Sequence, residues 1–160
     1  MLEVSFYQAK LLSLEQVLPK LLEKILASGN RAVVKCGSQE RVDFLDSVLW
    51  TQDKDSFLPH GTAKDGCHEL QPIWLTVLDE NPNRARIILL VDGAETDGFE
   101  TFERCLEIID GNNSESVSAA RARWKIYSSR GYKLNYWEQG SNGKWEPLVS
   151  DSLRVVSGQI

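Results

Sequence analysis

Apolar and polar positions alternate from Leu2 to Tyr7, with Leu2, Val4 and Phe6 in step, which predicts a β-strand. Behind it, Ser13 and Gln16 have the spacing of a capping box. Leu14, Leu18, Leu21, Leu22 and Ile25 then share one helical face. Pro19 is late for a first-turn proline, so the pattern puts either the helix start or a kink near it. Gly29-Asn30 stops the helix, Arg31 to Cys36 (RAVVKC) forms a second strand, and Ser38 caps a helix carrying Val42, Leu45 and Leu49.

The periodicity dissolves from Thr51 to Pro72 into a long polar loop, a feature that in a compact domain is often functional. Ile73 to Leu78 and Ile87 to Val91 read as strands, the second an unbroken apolar run suited to a strand covered on both faces. Gly98 to Asp110 predicts a helix with Phe99, Phe102, Leu106 and Ile109 inward. After a turn at Asp110-Gly111-Asn112-Asn113, Ser114 or Ser116 caps a further helix that ends at Gly131. Tyr132 to Gln139, Asn142-Gly143 and Lys144 to Val149 predict a β-hairpin on a type I′ turn. Strands alternating with helices indicate a three-layer α/β domain over residues 1–150 with a largely parallel sheet, followed by a C-terminal tail, 151–160.

Composition narrows the class. The chain has 160 residues, enough for one self-sufficient core. No apolar run reaches membrane-spanning length, and the N-terminal residues lack a signal-peptide pattern. Cys36, Cys67 and Cys105 are odd in number and irregularly spaced, which suits reduced thiols and a cytoplasmic location. A formal net charge of −5 argues against bulk nucleic acid as the main ligand.

Catalytic and cofactor signatures are weak. The single glycine of Cys36-Gly37-Ser38 is not G-x-G-x-x-G, and no phosphate-binding loop of the G-x-x-x-x-G-K-[ST] type occurs, so no nucleotide cofactor is expected. Cys67-His68 with His60 lacks metal-ligand spacing, and no metal is expected. Asp79, Asp92 and Glu95 follow strands without a partnering His or Lys motif, which favours solvated loop charge over chemistry. The residues give no active site, and the chain reads as a non-enzyme.

One window stands apart. From Ser116 to Trp137 there is no acidic residue, while Arg121, Arg123, Lys125, Arg130 and Lys133 supply five positive charges. The chain carries −5 and the window +5, so the remainder sums to −10. On a helix, Val117, Ala120, Trp124 and Tyr127 form one arc, and Arg121 and Lys125 border it. Two ligands suit such a patch: single-stranded nucleic acid through stacking and phosphate contacts, or an acidic peptide with an apolar end. The acidic remainder of the chain favours the peptide. Trp50 with Ser56 to His60 (SFLPH) offers a second, apolar surface for a protein partner.

Three stretches together, VSFY near the N-terminus, LDSVLW followed by SFLPHG, and ARARWKIYSSRGYKLNYW, resemble the chi subunit of bacterial DNA polymerase III from about Val4 to Glu146. The resemblance implies a Rossmann-like sheet flanked by helices, with a C-terminal β-hairpin and no phosphate-binding loop. It implies a non-catalytic accessory of the clamp-loader assembly in DNA replication, meeting nucleic acid indirectly and no membrane. Its partners would be the acidic C-terminal tail of single-stranded DNA-binding protein, at Arg121, Trp124, Lys125 and Leu134, and the psi subunit or an equivalent, at Trp50, Phe57, Pro59 and His60. Three departures stand out: Trp124 occupies a position where tyrosine is more usual, Gly111 to Ser114 is a polar turn in place of a more apolar segment, and the chain continues past the hairpin into a tail that the resemblance does not cover.

Overall fold

The computed structural model describes residues 2–51 and 59–147. Phe57, the tail 151–160 and the far end of the expected hairpin strand lie outside the described residues. Seven strands, β1 (Glu3–Ala9), β2 (Ala32–Lys35), β3 (Ile73–Thr76), β4 (Ile87–Leu90), β5 (Arg104–Asp110), β6 (Lys133–Gln139) and β7 (Trp145–Pro147), form one sheet. Its order is β3-β2-β4-β5-β1-β6-β7, parallel throughout except for the antiparallel pair β6–β7. The helices α1 (Leu14–Ala27) and α2 (Gln39–Thr51) cover one face, and α3 (Ser114–Ser129) covers the other. The result is the three-layer α/β architecture that alternating strands and helices require.

Strand alternation divides the core in two. Val34, Leu89 and Leu106 point toward Leu18, Leu22 and Leu45 of α1 and α2. Val4, Phe6, Ile88 and Cys105 point toward Ala120, Trp124 and Tyr127 of α3. Leu18 and Leu22 are wholly buried, each contributing about 1.5–3 kcal/mol relative to exposure.

Several local readings hold. The Ser13–Gln16 capping box starts α1 at Leu14, so Pro19 lies inside the helix rather than at its start. Arg41 N–H donates to Ser38 Oγ at the start of α2. Gly131 follows α3 with φ of +78°, the left-handed position that favours glycine.

Other readings are corrected. Gly98–Asp110 is not a helix: Phe99–Thr101 is one 3-10 turn, and Arg104–Asp110 is the strand β5 in the middle of the sheet. The apolar spacing mimicked a helix because the strand is buried on both faces and interrupted by Glu107, a buried carboxylate. The α3 cap is Asn113, whose side-chain oxygen accepts from Glu115 N–H and Ser116 N–H; Ser114 is the first helical residue. The β6–β7 connection is also not a type I′ turn. Gly140 N–H donates to Lys144 O and Gly143 N–H to Gly140 O, with Gly143 at φ +81° and Asn142 outside the positive-φ region. That is a three-residue loop closed by a left-handed glycine.

Candidate protein-docking site

The α3 helix presents its apolar arc to the sheet and its cationic flank beside β6. Trp124 is 8% exposed and packs edge-on to Phe6 at 5.5 Å and to Tyr136 at 5.8 Å between ring centroids. Phe6 stacks on Tyr136 at 5.6 Å, so the indole is core and only its rim meets solvent. Leu134 packs against this same cluster, half-buried, from the neighbouring strand position. The structure therefore brings Trp124 and Leu134 to one cluster.

Arg121 is half-buried and Lys125 exposed, one helical turn apart on the same flank. Burial raises the Tyr136 hydroxyl to about 12, and the charges of Arg121 and, less strongly, Arg123 work against that rise. The Tyr136 hydroxyl donates to Gln8 Oε1. Tyr136 is a site-forming residue that the alternation of β6 could have exposed, since it falls on the same face as Leu134.

The other cations of the window divide by what they touch. Arg123 Nε lies 2.5 Å from Glu107 Oε1 beneath the helix, and Lys133 Nζ lies 3.5 Å from Glu3 Oε2. Burial pushes the Glu107 carboxyl above the usual range, with the Arg123 charge and a hydrogen bond from Tyr127 opposing it. Arg123 is thus mostly buried against Glu107, Arg130 is exposed at the C-cap of α3, and Arg121 and Lys125 share the flank opposite Arg123.

The second surface centres on the end of α2. The Trp50 side chain is more than half exposed, and its ring lies 4.8 Å from that of His60. His60 is buried, with Nε2 3.0 Å from Asp46 Oδ1, and Pro59 is half-buried beside it. Gly61 bridges to Trp74, so this segment runs along the edge of β3. Phe57 lies outside the described residues. Cys67 and His68 are both exposed, and among the described residues no group of three His, Cys, Asp or Glu could hold a metal ion. Among the described residues no helix is long and apolar enough to cross a membrane.

Fold and site together define a doubly wound α/β domain whose prominent surfaces are a cationic helix flank and an exposed tryptophan. The model of the family described as DNA polymerase III chi subunit, HolC, matches residues 1–135, and the chain belongs to that family. Its members are accessory subunits of the replicative polymerase. The chain is 26% identical over 124 residues to the DNA polymerase III subunit chi of Escherichia coli (strain K12), covering 77% of this chain and 84% of that protein. It is 29% identical over 120 residues to the subunit chi of Pseudomonas aeruginosa, covering 74% and 82%. The probable subunit chi of Rickettsia prowazekii is 23% identical over 137 residues, covering 81% and 82%.

Proposed function

We propose that this chain is a non-catalytic tether: it joins the polymerase III clamp-loader assembly to single-stranded DNA through the acidic C-terminal tail of the single-stranded DNA-binding protein. The observation that carries the reading is the Arg121–Lys125 pair on the flank of α3 beside Leu134 and Tyr136 of β6. Two cations one turn apart grip a terminal carboxylate, while the rim of the aromatic cluster takes the apolar end of the tail. Glu138 falls on the same strand face as Tyr136 and sits opposite Glu146 of β7; Lys10 pairs with Glu138, which leaves Glu146 as the acid on the hairpin side. The formal −10 of the chain outside the window favours a short acidic peptide over a polyanion that would run beyond the patch.

Titration with an acidic peptide ending in an aromatic residue tests the reading. Arg121→Ala should weaken binding by at least about 2 kcal/mol, roughly 30-fold, with thermal stability unchanged. Unchanged affinity defeats the assignment. Measurable binding of naked oligonucleotide with a steep salt slope would instead favour direct nucleic-acid binding.

Trp50, Pro59 and His60 form the proposed surface for psi or an equivalent clamp-loader component. Tryptophan supplies the large apolar area typical of interface hot spots. Trp50→Ser should abolish co-purification with that component and leave tail-peptide affinity untouched. Joint loss of both would show that the two surfaces are not independent.

A further inference from the structure

At the C-terminal ends of β1 and β5 lies a crevice of about 830 Å³, where α/β sheets of this kind usually bind their ligands. The first β–α connection, Lys10 to Leu12, lines it. This connection has no glycine, yet its backbone forms the device that glycine-rich loops use. Three successive amides, of Lys10, Leu11 and Leu12, converge on a single oxygen, Oε1 of Gln139, at 3.2, 2.9 and 3.1 Å. Successive N–H groups aimed at one point make an anion-binding concavity. Here the acceptor comes from the end of β6, and Gln139 is 2% exposed.

Several other donors around the crevice are paired within the chain as well. Asn113 Oδ1 accepts the first free amides of α3, from Glu115 and Ser116. Arg41 donates to both carboxylate oxygens of Asp92, at 2.8 and 3.2 Å, and to Glu15 at 3.3 Å. Lys10 Nζ is paired with Glu138, next to Gln139. Gln139 itself is anchored by Nε2 donating to Gly143 O at 3.3 Å in the hairpin loop.

We propose that Gln139 is an internal ligand, its carbonyl occupying the place of a phosphate oxygen on a phosphate-type amide cradle. The cradle is closed to anions in the native chain, and its amides lock the C-terminal hairpin to the β1–α1 loop. A neutral acceptor does this without adding charge to a crevice already lined by Glu15, Asp92, Asp110 and Glu115.

Amide spectra and hydrogen exchange of the full-length chain, with inorganic phosphate as the probe, test the proposal. In the native protein the Lys10, Leu11 and Leu12 amides should exchange slowly, although the Lys10 and Leu11 side chains are exposed, and should ignore millimolar phosphate. In Gln139→Ala they should exchange at least about tenfold faster and shift with phosphate. Gln139→Glu keeps the acceptor and should retain protection without a phosphate response. Native amides that exchange freely or respond to phosphate overturn the proposal. So does an Ala variant whose amides keep their protection or ignore phosphate. Should the Ala variant fail to fold, the native protein and the Glu variant decide the matter: loss of protection in the Glu variant overturns it.

Discussion

Arg123→Ala is expected to lower the unfolding free energy by about 3–5 kcal/mol, because it strands a buried carboxylate without its counter-charge. Glu107 is 1% exposed and sits in the central strand β5, and Arg123, itself mostly buried, reaches it from α3. The loss carries a pH signature. Burial already holds the Glu107 carboxyl above its ordinary value in the native protein, so the folded state binds that proton more tightly than the unfolded chain. The stability linked to it is present below the ordinary carboxylate range and is lost as pH rises through the raised value. Removing Arg123 raises the folded value further. The deficit of the variant should therefore shrink in acid and widen toward neutrality. Chemical denaturation across the acidic and neutral range measures this. A deficit independent of pH, or under about 1 kcal/mol at neutrality, would mean that Glu107 and Arg123 are not a buried pair. Replacing both residues by apolar groups of similar volume should recover most of the loss, as buried ion pairs generally allow.

Elements whose periodicity is local were legible in the sequence. The alternation of β1, the capping box of α1, the Ser38 cap of α2, the run of β4 and the glycine after α3 all depend on neighbours a few residues away. What was not legible depends on distant partners. The Arg104–Asp110 strand carries a charge in its interior, and only the approach of Arg123 from α3 makes that tolerable. Without that knowledge, Phe99, Phe102, Leu106 and Ile109 satisfy a helical spacing as well as any true helix. Parallel pairing of β4 with β5 through a connection containing only a 3-10 turn compounds the error, since a crossover helix is the usual expectation.

The cationic window was legible in outline and coarse in detail. The absence of acid between Ser116 and Trp137 marks it, but one-dimensional charge cannot separate a cation that faces the core from one that faces solvent. Arg123 and Arg121 are two residues apart, yet Arg123 pairs with the buried Glu107 carboxylate while Arg121 lies on the opposite flank of the helix. Trp124 shows the same ambiguity from the apolar side. Its ring packs into the core against Phe6, and only a small rim of it is exposed. Gln139 left no sequence signal at all, because its three acceptor contacts span more than 120 residues of chain.

Phe6→Ala is the second large expected effect, and it separates the roles of the two core clusters. Phe6 is fully buried in β1 and meets Trp124, Tyr127 and Tyr136 at centroid distances of 5.5, 6.0 and 5.6 Å. Truncation leaves a cavity among three aromatic rings, at a cost of about 3–5 kcal/mol. Those rings cannot close the gap without shifting, and two of them, Trp124 and Tyr136, back the proposed tail groove. Leu22→Ala on the opposite face should cost about 2–5 kcal/mol while touching none of them. Both variants therefore lose stability, but only Phe6→Ala should also weaken tail-peptide binding when measured well below its melting temperature. Equal peptide affinity in the two variants would show that the groove does not lean on the aromatic cluster and that the Arg121–Lys125 flank binds by charge alone. Loss of affinity in Phe6→Ala with retained salt dependence would place the apolar end of the tail against the ring that Phe6 holds in position.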